Sequence, residues 1–327
     1  MARIAAGAYC PSSDYRECVP DQAPDHASPG APPRAARPAP TVLVFGLRPE
    51  RLLDSEQRID AFLEPPTQEQ WPIVMEALAS GLEGGGHVVT IAPQWLEDDV
   101  QMRLDMARSM LDTARVAVHR TALPPLAATV LASLASACGP HLPSAGLLAS
   151  LLEDIEAELH VFTWLGSVAS LSNPSPSIGQ HITSLMPGSA FGVSSWPEPS
   201  VHPIRRGDPS VPLPPIERPS RLVVAPRTGD VGWITETVNR ALGGLEVRTV
   251  EPTLHGPKWW GTQKLVEGVV YPVDVAELAH DLMTGLEPWA CRWCSELIAR
   301  SPCPFCGHRG RPGRRRQAQS AQVQPGA

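Results

Sequence analysis

Short β-branched apolar runs alternate along this chain with helical stretches, and that alternation constrains the fold more than any other feature. TVLVFGL at 41–47 is an apolar run of strand type, and residues 71–82 set Ile73, Val74, Ala77, Leu78 and Leu82 on one helical face. Gly84, Gly85 and Gly86 stop that helix, and HVVTI at 87–91 reads as the next strand. The pattern returns further on: RLVVAP at 221–226 as a strand, 232–242 as a helix, Gly243 and Gly244 as its stop, and LEVRTV at 245–250 as a strand. A strand at 266–271 and a helix at 273–282 follow. Trp71 and Trp233 head comparable units, which fits either an internal repeat or two β–α–β units obeying the same turn rules. The expectation is an α/β protein with one or more mostly parallel, Rossmann-like sheets.

Between these units, residues 98–114 have helical period, with Met102, Met106 and Met110 one turn apart, a spacing that predicts core or helix contact. Residues 116–119 suggest a strand, and 124–138 and 144–160 suggest two helices, while 163–195 carry no assignable pattern. Hydrophobic residues make up 43% of the chain and aromatics only 5%, so the core is expected to be aliphatic. Pro and polar clusters then divide the chain. Residues 1–40 are expected to be a disordered tail, 41–195 an α/β domain, 196–220 (with eight of the 37 prolines) a linker or long surface loop, and 221–288 a second α/β segment. A cysteine-bearing module at 289–309 and a basic disordered tail at 310–327 complete the division. The most apolar stretch, 122–152, is broken by Pro124, Pro125, Gly139, Pro140 and Pro143 and is not a membrane span, so a soluble, cytoplasmic protein is expected.

The chemistry-bearing motif is Cys291-x2-Cys294, eight residues, then Cys303-x2-Cys306. Two C-x2-C turns bring four thiolates to one ion, the usual sulfur set of structural zinc. A disulfide pair needs an oxidising compartment, and a redox motif uses one C-x-x-C after a strand; both fit this chain less well. His308 is an alternative ligand, but four cysteines already close the shell. CPFCG gives the segment its likeness: residues 289–309 resemble a zinc ribbon or rubredoxin-like knuckle. The resemblance implies a structural zinc held by Cys291, Cys294, Cys303 and Cys306. The eight-residue spacer departs from the roughly 15–20 residues usual in larger ribbons. Cys10 and Cys18 read as surface thiols, with a second metal site as the alternative.

The net charge of −7 hides an asymmetry. Residues 291–327 hold seven Arg and one acid, Glu296, for a net of +6, while the first 290 residues carry a net of −13. Arg309, Arg311, Arg314, Arg315 and Arg316, beside a zinc module, suggest phosphate contact. A solvated tail, or a contact with the acidic body, is the plainer reading. Trp289 and Trp293 flank the first knuckle and are expected either to pack on the body or to stack on bases.

Enzyme signatures are absent: no G-x-x-x-x-G-K-[ST], G-x-S-x-G, H-E-x-x-H or G-x-G-x-x-G occurs. Two weaker sites remain. Arg227, Thr228 and Gly229, between a strand and a helix that Asp230 would cap, form a possible anion site. His255, with Lys258, Trp259 and Trp260, reads as an aromatic-walled pocket with a general base, or as a packed loop. These observations lead to the expectation of a non-catalytic adaptor that docks on nucleic acid or a protein partner through its basic end. The alternatives are a Rossmann-like enzyme or nucleotide or sugar-nucleotide binder with a purely structural zinc, and a subunit of a larger assembly.

Overall fold

The first apolar run forms β1 (Thr41–Phe45), buried on both faces as a continuous apolar strand of a parallel sheet must be. A computed structural model describes residues 40–47, 52–53, 59–62, 68–96, 99–205 and 208–310. The expected tail up to residue 39 with Cys10 and Cys18, and the segment 311–327 with Arg311, Arg314, Arg315 and Arg316, lie outside these residues. β1 pairs in parallel with β2 (Ile59–Phe62) on one side and β3 (Val88–Pro93) on the other, and β3 pairs in parallel with β4 (Val116–Thr121). The sheet order is β2-β1-β3-β4.

Helix α1 (Trp71–Leu82) buries Val74, Leu78 and Leu82, spaced four apart, and Gly84 and Gly85 at positive φ end the turn before β3. Ile73, expected on the same face, is 58% exposed. It lies one residue and so about 100° from Val74, too far round the helix to share its stripe. The methionine stripe of α2 (Asp99–Met110) corrects a second expectation. Met102, Met106 and Met110 are all exposed, and Val100, Leu104 and Ala107 face the core instead.

Helix α3 (Pro125–Cys138) has no wet face: all fourteen residues are buried. It packs on β1 and β3, on α4 (Ala145–Ala157), and on β10 (Leu265–Pro272) of the second sheet. A helix fits there because Ala127, Ala128, Ala132 and Ala135 let both sheets approach closely. Its hydroxyls also find acceptors one turn back: Thr129 Oγ1 donates to Pro125 O at 3.0 Å and Ser133 Oγ to Thr129 O at 3.2 Å. The surrounding cluster draws residues from both sheets: Val42, Val89 and Ile91 from the first, and Val223, Val269 and Tyr271 from the second.

The second sheet starts at β5 (His160–Leu165), which pairs antiparallel with β6 (Phe191–Trp196) and with β10. β6 pairs antiparallel with β7 (Ser200–Pro203), and β10 pairs antiparallel with β8 (Ser220–Pro226). Only β8 and β9 (Glu246–Thr249) run parallel, and the order is β7-β6-β5-β10-β8-β9. The α/β class and the parallel first sheet stand, but the second sheet is mixed. Alternation of elements fixes their order, not their directions, and here β5, β6 and β7 run as an antiparallel meander. The division between sheets falls between α4 and β5, so the proline-rich stretch lies within the second sheet and supplies β7.

The unassigned stretch 163–195 holds the rest of β5, then α5 (Ile178–Ser184), whose Ser177 and Gln180 form a capping box, and the start of β6. Asp230 Oδ1 accepts from Trp233 N at 3.2 Å and caps a wide π-type turn at Trp233–Val238, which runs on into α6 (Asn239–Ala241). α7 (Gly256–Trp260) precedes β10, and α8 (Val275–Met283) is capped by Asp274 Oδ1, which accepts from Glu277 N at 2.9 Å. Among the described residues no helix is long and apolar enough to cross a membrane.

Leu131, wholly buried on α3, is the natural probe of this shared core. Leu131→Ala is expected to cost about 2–5 kcal/mol, seen as a lower urea midpoint at unchanged slope. Ile73→Ala on α1 should stay within about 0.5 kcal/mol of the parent.

Candidate ligand cleft and four-cysteine centre

Parallel strands offer ligands a site beyond their carboxyl ends. Here Gln94 and Trp95 follow β3, and Ala122 follows β4. Opposite them stand Ser172 and Asn173, in the loop after β5, and His255, Lys258 and Trp259 of the α7 segment. Together they enclose a cleft of about 400 Å³ between elements of the two sheets. Trp95 is fixed by its Nε1, which donates to Leu123 O at 3.1 Å, and its ring lies 5.1 Å from that of His255 at 47°. Trp259 packs edge-on against Trp260 at 4.3 Å, and Trp260 is wholly buried. Within the His255 segment Trp260 is packed core, and His255, Lys258 and Trp259 line a cavity.

The α7 segment is held by one buried carboxylate. Glu267, on β10, is 1% exposed. Its Oε1 accepts from Trp260 Nε1 at 3.0 Å and from the Leu126 N–H, in the first turn of α3, at 3.4 Å. Its Oε2 accepts from the Thr253 hydroxyl. Gly256 is required beside it, since a Cβ there would stand 2.4 Å from Thr253 Oγ1 and 2.9 Å from Glu267 Oε2. Burial raises the carboxyl above its ordinary range, against the opposing pull of the Thr253, Trp260 and Leu126 donors. Nothing in the sequence marked Glu267: it is one acid inside an apolar strand, and its partners come from three separate segments.

The other sequence-predicted residues lie elsewhere. Arg227 and Thr228 N–H groups both donate to Leu265 O, at 3.1 and 3.3 Å, so their amides close the β8–β10 pairing. Gly229 packs on Trp164, where a Cβ would approach to 2.5 Å. None of the three lines the cleft. Arg309 is exposed.

The four cysteines do converge. The Sγ atoms of Cys291, Cys294, Cys303 and Cys306 lie within 4.8 Å of one another. Cys291 and Cys306 stand 3.6 Å apart, as do Cys294 and Cys303, far from a disulfide bond. Such a group can hold one metal ion. Two similar turns build it: Ser295 N donates to Cys291 O, and Gly307 N to Cys303 O, both at 2.9 Å. Gly307 has the expected positive φ, and Ser295 occupies the matching position at φ 60°. The knuckle, with the short pair β11 (Trp289–Ala290) and β12 (Leu297–Ile298), docks on α4 and on the first sheet. Buried Phe305 lies edge-on to His87 at 5.1 Å, His87 Nε2 is 3.1 Å from Glu296 Oε1, and Ser144 Oγ donates to Leu297 O at 2.9 Å. Trp289 is half-buried in this contact, while Trp293 is 78% exposed.

No protein-family model matches the chain, and no curated protein sequence matches it. Solved structures do. The DegV family protein Cg2579 from Corynebacterium glutamicum matches with a TM-score of 0.51 at 11% identity, over 71% of this chain and 97% of that one. A DegV family protein from Thermus thermophilus, whose structure is described as fatty-acid binding, matches with a TM-score of 0.50 at 12% identity, over 72% and 99%. The α/β body has the DegV fold. That finding overturns the expected function. The adaptor for nucleic acid or a protein partner, its basic-end docking and the emphasis on a nucleic-acid-binding zinc module all placed the function in the last 40 or so residues. The nucleotide-binder and assembly-subunit alternatives fall with it. The matched fold spans nearly the whole of two DegV chains, one of them described as binding fatty acid. Clustered arginines misled because charge reports potential contacts and says nothing of a cleft assembled from distant segments.

The buried acid yields a pH prediction. The folded chain holds the Glu267 proton more tightly than the unfolded chain, so its contribution is full below the unfolded value of about 4.5 and is lost as pH rises toward the folded value. Glu267→Gln is expected to flatten that decline in a series of melting curves from pH 4 upward.

Proposed function

We propose that this chain binds a fatty acid, or a closely related long-chain acyl compound, in the 400 Å³ cleft between its two sheets. The observation that carries the reading is the fold match to the Thermus thermophilus protein, over 99% of that chain. Local chemistry agrees with it. Trp95 and Trp259 offer apolar walls, and Gln94, Ser172, Asn173, His255 and Lys258 offer a few polar groups, the usual make-up of a small-molecule site. His255 serves here as a binding residue, held against Trp95. Delipidated protein titrated with oleic acid is expected to bind it with quenching of tryptophan fluorescence. Trp259→Ala should weaken binding by about tenfold, an effect on the order of the burial free energy of one large apolar side chain. Absence of any acyl chain from solvent extracts of the purified protein, together with no binding of oleic acid, would overturn the reading.

The metal is a second, independent element. We take it to be zinc in a zinc-ribbon-like knuckle, because four thiolates and no other donor suit that ion and leave no position open for chemistry. The site is then structural, and four reduced thiols suit the reducing conditions of a cytoplasm. Elemental analysis is expected to find one zinc per chain. Stripping it with a chelator should lower the melting temperature while oleic acid still binds. A chain that carries no metal and melts identically after chelation would refute this.

A further inference from the structure

The acyl reading does not say what meets the ligand's head group. In an open α/β sheet the usual partner of an anion is the N-terminus of a helix that follows a strand. Beside this cleft that helix is α3, and its N-terminus is closed to a ligand on three counts. Pro124 and Pro125, at the cap and first positions, carry no N–H. The N–H of Leu126, the next residue, is given to Glu267 Oε1. The cavity against this first turn, between Leu126, Thr129 and Thr253, has only about 20 Å³, room for about one water molecule. The protein's own carboxylate fills the place an incoming one would take.

The cleft offers a different charge. Lys258 is exposed on α7 and lines the cavity, and no carboxylate is among the lining residues. Among the described residues Lys258 makes no ion pair, whereas arginines such as Arg218, Arg221 and Arg300 are engaged with acids. It is also one of only two lysines in 327 residues, both near this end of the second sheet in sequence. An ammonium is a compact point charge on a flexible stem, able to follow a carboxylate at a cleft mouth without the fixed fork geometry of a guanidinium. Gln94, Ser172 and Asn173 add neutral hydrogen-bonding groups around it.

We propose that Lys258 is the residue that holds the acidic head group of the cleft's ligand, while Glu267 keeps that head group away from the N-terminus of α3. The ligand is therefore a free carboxylic acid, and a neutral alcohol or ester of the same chain is a poorer fit. This assignment rests on the acyl reading of the cleft.

The test uses the delipidated full-length chain, titrated with oleic acid and with oleyl alcohol. The wild type is expected to prefer the acid. Lys258→Ala should weaken acid binding by about tenfold, the scale of one charge-assisted hydrogen bond, and leave alcohol binding unchanged. Lys258→Arg should restore most of the acid affinity, and Arg227→Ala, away from the cleft, should have no effect. If Lys258→Ala weakens both ligands alike, or neither, the assignment is wrong while the acyl reading survives. If the wild type binds neither ligand, both fall together.

Discussion

Among the described residues, the two sheets meet on a helix that has no side to spare for water. With all of α3 buried, the first sheet, the second sheet and α4 all pack on it. Such a helix must be thin, so that two sheets can close on it, and its polar atoms must be satisfied without solvent. Alanine supplies the first property, and hydroxyls bonded to carbonyls one turn back supply the second at Thr129 and Ser133. Its first turn then becomes the meeting point of both sheets, and there Glu267 of β10 reaches the Leu126 N–H. The cleft borders this junction.

The sequence disclosed those parts of the fold whose signal is local. β1, α1, its glycine stop and β3 were legible because an apolar strand run and a four-residue stripe are properties of consecutive residues. Ile73 and the α2 methionines misled because position on a helix was read without knowing which face the sheet would cover. The pairing directions of the second sheet were not legible either: β10 sits between β5 and β8, more than thirty residues from both, and no local pattern encodes such a partner. The same division holds at the site. The His255 segment announced itself through the unusual run of His, Lys and two Trp, but Gln94, Trp95, Ser172 and Asn173 face it only after both sheets have formed. Glu267 was invisible for the same reason.

The four-cysteine knuckle stands apart from this logic. Its spacing alone placed four sulfurs around one point, because two tight turns leave the cysteines little freedom. What spacing could not show was the docking. Phe305 against His87, Ser144 bonded to Leu297 O and Arg300 beside Glu153 tie the module to the first half of the chain, so it is a continuation of the body and not an independent domain.

That docking has a further consequence at β4, the last strand of the first sheet. Its outer edge has no strand partner among the described residues, and an unpaired edge is a template on which another chain can add. Arg300, Ser301, Pro302 and Pro304 of the knuckle overhang it, forming a groove of about 300 Å³ with Ala117, Val118 and His119. Two prolines and a charged side chain make poor material for extending a ladder. The knuckle therefore covers part of that edge with residues ill suited to extending the ladder.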